Sequence, residues 1–405
     1  MIEGEVAYRK LMGRLTGVAA VLAVAVAAAV SGCGSIMPRV AVPLTAHQNV
    51  VVEGFSDIRF RGDVLTAQAT SMIERQYQQI ARSSSGVGRR TSADFLAISG
   101  GGSDGAFSAG FLNGWTAAGT RPAFEIVTGV STGALAAPFA FLGAEYDGAL
   151  RRIYTEISDK DVYTSNGPLG VLGESLLDAS PLRKIVEAEL TDEMLDKIAA
   201  EYELGRRLLI QTTDIERQVP YIWNITRIAS QKSSDRRRLI ADVLMASAAI
   251  PGVFPPVRIN VTVDGHAIEE LHVDGGVAAQ VFFAPPGLDL ARLETRYFGK
   301  PRDQRLVLIR NGKLTPETKA TEPTTLSLGA RAVSTLIKFQ SLQDISKIRS
   351  AFARPGSHFK VASIPEKFTV VPTGLFDKDY MKALYKEGYK TGIHQGRHSG
   401  RAAQQ

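Results

Sequence analysis

A five-residue turn, Gly129-Val130-Ser131-Thr132-Gly133, separates the apolar stretch Phe124–Thr128 from the helix-forming run Ala134-Leu135-Ala136-Ala137. A strand, a serine framed by glycines and then a helix is the context of a nucleophile elbow. Glycine at 129 and 133 allows a turn too sharp for a Cβ, and such a turn pushes the Ser131 hydroxyl out of the backbone. The pattern alone is weak, because Gly101-Gly102-Ser103-Asp104-Gly105 fits it too. The rest of the chain has to choose between Ser131 and Ser103.

Composition narrows the classes. The chain has 405 residues, 44% hydrophobic and 22% charged, which is ordinary for a folded globular protein. A net charge of +6 is modest, and acidic residues are interspersed with the basic ones, so no nucleic-acid footprint is expected. The six histidines are scattered without metal-ligand spacing, and neither metal nor cofactor is expected.

The N-terminus reads as an export signal. Arg9, Lys10 and Arg14 precede an apolar run from Val18 to Val30 that is short for a membrane span. Met12 is an alternative start to Met1. The ending Val30-Ser31-Gly32-Cys33 resembles a bacterial lipobox, and Cys33 is the single cysteine, so it is the expected lipidation site. Gly34 after it resembles lipoproteins passed to the outer membrane. The chain is therefore expected in the bacterial cell envelope, lipid-anchored and facing the periplasm.

Four segments are expected: a signal peptide at 1–32, an N-terminal extension and linker at 33–93, an α/β domain at 94–290 and a C-terminal extension at 291–405. The extension is polar and irregular, with a helix expected near Thr66–Ile80 and a linker at Ser83–Gly88. After Asp94, short apolar strands alternate with helical stretches, the pattern of a sheet with crossover helices. Expected strands include Phe95–Ile98, Phe124–Val130, Arg207–Thr212, Val219–Trp223 and Arg305–Ile309. Helices are expected at Ala106–Ala117, Thr132–Gly143, Asp242–Ala249, Leu326–Ile348 and Asp377–Ile393. The apolar faces of Leu326–Ile348, and both Trp115 and Trp223, read as core. The last dozen residues are expected to fray.

Two further pieces carry chemistry. Ser99-Gly100-Gly101-Gly102-Ser103-Asp104-Gly105 lies between a strand and a helix, where backbone N–H groups can converge on an anion. A dinucleotide reading is weak, since Glu125 opens the next strand instead of closing it. Asp274-Gly275-Gly276 follows another short strand. A serine hydroxyl needs a base, and either Asp274 directly or a His272–Asp274 pair on one strand face could supply it.

Gly-Gly-Gly-x-x-Gly, Gly-x-Ser-x-Gly and Asp-Gly-Gly, in this order, resemble the patatin-like phospholipase family. The block Ala246-Ser247-Ala248-Ala249-Ile250-Pro251-Gly252-Val253-Phe254-Pro255-Pro256 and the stretch Leu177–Leu182 are similar to family members as well. The resemblance covers residues 94–290. It implies a three-layer α/β/α hydrolase with a central, mostly parallel sheet and a Ser–Asp dyad without metal. It assigns Ser131 as nucleophile and Asp274 as base. Gly100, Gly101, Gly102 and Ser103 become the oxyanion hole, with Gly105, Gly129, Gly133, Gly275 and Gly276 in support. The implied substrate is a phospholipid or other lipid ester; a soluble esterase or thioesterase, or a non-catalytic lipid-binding lipoprotein, are the rival readings. Asp104 stands where the family often has Arg or Lys, which points toward neutral or zwitterionic lipids.

Overall fold

The computed structural model describes residues 50–83, 91–167, 170 and 173–402. The expected signal segment, Cys33 and all but the first residue of the expected linker lie outside the described residues. In chain order the first elements are β1 (Val50–Val52), β2 (Arg59–Arg61), α1 (Ala67–Ser83), β3 (Ser92–Ile98), α2 (Gly105–Ala117), β4 (Ile126–Val130), α3 (Thr132–Leu142), α4 (Asp147–Thr155) and α5 (Asp159–Val162). A small hairpin, β5 (Thr164–Ser165) with β6 (Leu177–Asp178), leads to α6 (Ser180–Glu189), α7 (Asp192–Glu203), β7 (Arg207–Asp214), β8 (Val219–Asn224), α8 (Ile225–Ser230) and α9 (Arg236–Ser247). The rest are β9 (Val257–Val263), β10 (His266–Asp274), α10 (Leu290–Phe298), β11 (Asp303–Arg310), α11 (Thr325–Ala351), β12 (Ser357–Ser363) and α12 (Lys378–Ala402).

One large mixed sheet organises the molecule. Its strands β12, β11, β3, β4 and β7 lie side by side and parallel. Antiparallel strands extend it beyond β7, with β8 and β2 on one branch and β10, β9 and β1 on the other. Strand β3 shows why helices must cover both faces. Its Leu96 and Ile98 belong to one core, with Phe107 and Phe111 of α2 and Met381 and Leu384 of α12. Its Ala93, Phe95 and Ala97 belong to another, with Leu290 of α10 and Ile345 and Ile348 of α11. A strand apolar on both faces is stable only between two helical layers, so the architecture is three-layer α/β/α.

The residues after 302 add two strands and two long helices to this frame. β11 lies between β3 and β12, pairing with β3 from Asp303↔Ser92 to Ile309↔Ile98. Helix α12 packs on α2 backbone against backbone: a Cβ at Gly110 or Gly114 would overlap Tyr385 or Tyr389, and one at Gly388 or Gly392 would overlap Phe107 or Phe111. The expected fraying of the C-terminal residues gives way to helix through Ala402. Thr120 Oγ1 donates to the Gly396 carbonyl at 3.0 Å, which holds α12 well past residue 394.

Three readings need correction. The extension at 33–93 is not merely irregular, because β1 pairs with β9 and β2 with β8. Helix α9 begins at Arg236, six residues ahead of the expected start, where the charged Arg236–Arg238 run hides it from an apolar pattern. Within α11 only the C-terminal half is core; Leu328, Val333, Leu336, Ile337 and Phe339 are exposed. Among the described residues no helix is long and apolar enough to cross a membrane.

Candidate active site

The sheet itself brings two candidate residues together. β8 occupies one edge of β7 from Leu209 to Asp214. On the other edge β4 runs parallel as far as Val130↔Gln211, and β10 runs antiparallel from His272↔Asp214 to Asp274↔Thr212. The two strands thus end head to head on adjacent residues of one edge. Ser131 is the first residue after β4 and Asp274 the last of β10, so strand register alone joins groups 143 residues apart in sequence (274 − 131).

Ser131 has φ 55° and ψ −127°, a conformation that costs a non-glycine residue about 1–3 kcal/mol. The packing that imposes it is visible. A Cβ at Gly133 would overlap the Ile98 and Ser99 carbonyls, and one at Gly129 would overlap the Gly133 carbonyl. The Ser131 N–H donates to Ser247 Oγ at 3.0 Å, and Ser247 Oγ donates to the Gln211 carbonyl at 2.7 Å. Residue 249 of the same Ala-Ser-x-Ala block accepts the Asp274 N–H at 2.9 Å. That block therefore braces both halves of the pair, a role its sequence did not reveal.

Ser131 and Asp274 are both buried. Asp274 Oδ1 accepts the Gly276 N–H at 2.7 Å. Burial pushes the Asp274 carboxyl up to about 6, and hydrogen bonds from the Ser131 hydroxyl and the Gly276 amide pull in the opposite direction. His272 is not a partner of Asp274. Thr212 accepts from Trp223 Nε1 at 2.7 Å and faces His272 Nδ1 at 2.9 Å, while His272 Nε2 faces Glu270 at 2.9 Å.

The glycine loop closes the third side. Gly101 (φ 152°) and Gly102 (φ 56°) adopt backbone that favours glycine, and a Cβ at Gly101 would also strike Asn311. Asn311, just past β11, locks the loop: its Nδ2 donates to the Ser99 carbonyl at 2.8 Å and its Oδ1 accepts from Ser108 N at 3.2 Å. Arg310 Nη1 reaches the Gly100 carbonyl at 3.3 Å. One expected donor is spent, since the Gly100 N–H is bonded to the Gln280 carbonyl at 3.0 Å. The Gly101, Gly102 and Ser103 amides carry no such bond among the described residues. Asp104 accepts from Tyr380 Oη at 2.5 Å, so α12 holds the carboxyl that replaces the expected cation.

A narrow apolar cavity of about 40 Å³ lies against Ser131 and Gly102, lined among others by Leu135, Ile153, Phe254, Phe376 and Met381. A second, of about 30 Å³, shares Leu135, Ile153 and Leu182 with it and continues toward Val186 and Met194. Such walls suit a hydrocarbon chain. Among the described residues one group has metal-ligand spacing, namely Asp214, Glu270 and His272. Its carboxylates are already engaged by Arg59 and Arg217, which makes it a buried charge network.

Residues 96–285 match the model of the patatin-like phospholipase family. This chain carries a patatin-like phospholipase domain. Among solved structures it is similar to VipD from Legionella pneumophila, at 14% identity and a TM-score of 0.35, over 76% of this chain and 67% of that one. It is also similar to human GIVD cytosolic phospholipase A2, at 11% identity and a TM-score of 0.34, over 84% of this chain and 64% of that one. The chain thus spans about two thirds of the length of each. No curated protein matches it in sequence.

Proposed function

We propose that this protein is a lipid acyl hydrolase that cleaves carboxylic esters through a Ser131–Asp274 dyad. The observation that carries the reading is the meeting of β4 and β10 on one edge of β7, beside an apolar cavity and a loop of unbonded amides. Asp274 takes the proton of Ser131 as its oxygen attacks the ester carbonyl. The Gly101, Gly102 and Ser103 amides receive the oxyanion, and each such donor is worth about 10²–10³ in rate. Collapse of the tetrahedral intermediate expels the alcohol, which leaves with the proton from Asp274, and leaves the acyl group on Ser131. Water then attacks the acyl ester with Asp274 again as base, releasing the fatty acid and restoring the hydroxyl.

Among the described residues no cation pairs with Asp274, which fits this role, because a base must hold a proton and return it near neutral pH. The reading extends to location: acylated Cys33 would tether the enzyme to the outer membrane, facing the periplasm. A fluorophosphonate probe tests the chemistry. Wild type should label and Ser131→Ala should not; a signal that persists unchanged in the variant moves the nucleophile elsewhere, Ser103 first. Incorporation of a fatty-acid label that survives Cys33→Ala would remove the tether.

A further inference from the structure

Gln280 is buried beside the candidate dyad, and the chemistry above gives its side chain no part. A long polar side chain is seldom buried to this degree unless its polar atoms are engaged. Two glycines fix where the amide lies. A Cβ at Gly276 would stand 2.8 Å from Gln280 Nε2 and 3.0 Å from Asp274 Oδ1. A Cβ at Gly100 would stand 3.2 Å from Gln280 Oε1 and 3.2 Å from the Ser131 Cβ. The amide thus sits between the turn that follows the acid and the loop that faces the serine.

Its bonds run in two directions. Toward the site, Gln280 Nε2 donates to the Gly276 carbonyl at 2.8 Å, and Gly276 is the residue whose N–H reaches Asp274 Oδ1 at 2.7 Å. Away from it, α11 supplies the anchor: Asp344 Oδ2 accepts the Gln280 N–H at 2.8 Å, and Gln340 Oε1 accepts from Gln280 Nε2 at 3.3 Å. The turn itself does not need this amide. Ala278 N and Ala279 N both donate to the Gly275 carbonyl at 3.1 Å, and Gln211 Nε2 donates to the Gly275 and Ala279 carbonyls at 2.9 and 3.1 Å. What the Gln280 amide adds is a hold on Gly276, a residue with no side chain of its own to restrict its backbone.

We propose that Gln280 is a positioning residue for the Ser131–Asp274 pair: its side-chain amide pins Gly276, and with it the N–H that steadies the Asp274 carboxylate. The proposal rests on the hydrolase reading and adds a residue that acts only through its neighbours. Among the described residues the groups that act on Asp274 are the Ser131 hydroxyl and the Gly276 amide, with no charged side chain. Both bonds favour the ionised form, so releasing Gly276 makes the carboxyl hold its proton more tightly and frees it to turn away from the serine.

The test compares the full chain with Gln280→Met, which keeps the length of the side chain and removes its amide. On a monomeric short-chain ester the variant's kcat should fall by about 10–10²-fold, the scale of loss when catalytic groups are misplaced by about an ångström. KM should stay within about twofold, because the amide serves the transition state and not ground-state binding. The acid limb of kcat/KM, near pH 6 in the parent, should move to higher pH. A ¹³C titration of the Asp274 carboxyl, assigned by its loss in Asp274→Asn, should move the same way without any need for turnover. An unmoved carboxyl titration overturns the proposal. So does a loss of rate that only tracks a loss of folded protein. Should Gln280→Met fail to fold, Gln280→Asn keeps an amide too short to reach Gly276, and the same two readouts decide. If the parent cleaves no ester, the hydrolase reading fails, and the carboxyl titration still settles whether Gln280 holds Gly276 against Asp274.

Discussion

Glu270 and Asp274 lie four residues apart on β10, both buried, in opposite surroundings. Glu270 is gripped by Arg59 and Arg217, with His272 alongside. Burial alone would raise its carboxyl, yet the Arg59 and His272 contacts outweigh that and hold it well below the ordinary carboxylate range. Among the described residues Asp274 has only neutral partners, the Ser131 hydroxyl and the Gly276 amide, and burial lifts it to about 6. The pair teaches that burial does not by itself make a base. A buried carboxylate clamped by cations is structural; one left with neutral donors exchanges its proton near physiological pH.

The sharpest way to break that contrast is at its catalytic end. Ser131→Ala should lower ester turnover by a factor on the order of 10⁶ if the hydroxyl is the nucleophile. A loss of tenfold or less would place the chemistry elsewhere. Asp274→Asn comes next, with an expected fall of about 10²–10⁴ in kcat/KM. In wild type kcat/KM should climb as pH rises through about 6 and then level off, because only the ionised form accepts a proton. A flat profile between pH 5 and 7 would rule out Asp274 as the base.

Asp274 also carries a stability signature. Its folded pKa, about 6, lies above the ordinary 3.8, so the folded state binds more protons between these values and stability declines as pH rises through the window. Asp274→Asn should therefore be more stable than wild type at pH 8, by on the order of 2–3 kcal/mol, with the difference closing below pH 4. Equal melting temperatures at both pH values would contradict it. Glu270→Gln should act in reverse. It leaves two buried arginines short of charge and should cost about 3–5 kcal/mol in denaturant unfolding. Turnover per fluorophosphonate-titrated site should be unchanged, and a fall in that number would erase the division between the two carboxylates. The smallest effect is expected from Ser247→Ala, which strands the buried Ser131 N–H. It should cost about 1–3 kcal/mol in the same unfolding measurement.

The parts of the site that were legible in the sequence are those encoded by short local patterns. Gly129, Gly133 and Gly101 mark places where the backbone comes too close for a Cβ, Gly102 one where it takes a positive φ, and such glycines stand out in one dimension. The strand β3 and the elbow helix α3 were legible for the same reason. Groups whose role depends on a distant partner were not. Nothing near Gly100 says that Gln280 takes its amide, and nothing near Ser247 says that its hydroxyl carries Ser131 N–H to the Gln211 carbonyl. The short edge strands β1 and β2 pair with residues more than 150 positions away, which leaves little local signature. Periodicity gave α11 two unlike arcs, but it could not tell which would face inward.

The placement of β11 has a consequence for biogenesis. Synthesis delivers Ser131 and Asp274 well before Asp303, yet the strand that fills the open side of β3, and the Asn311 that walls in Gly101, come afterwards. A nascent chain halted between these points holds Ser131 and Asp274 without the strand and the Asn311 contact that shape the glycine loop. Completion of the candidate site therefore waits on the final stretch of polypeptide, so an unfinished chain has both side chains and no finished loop beside them.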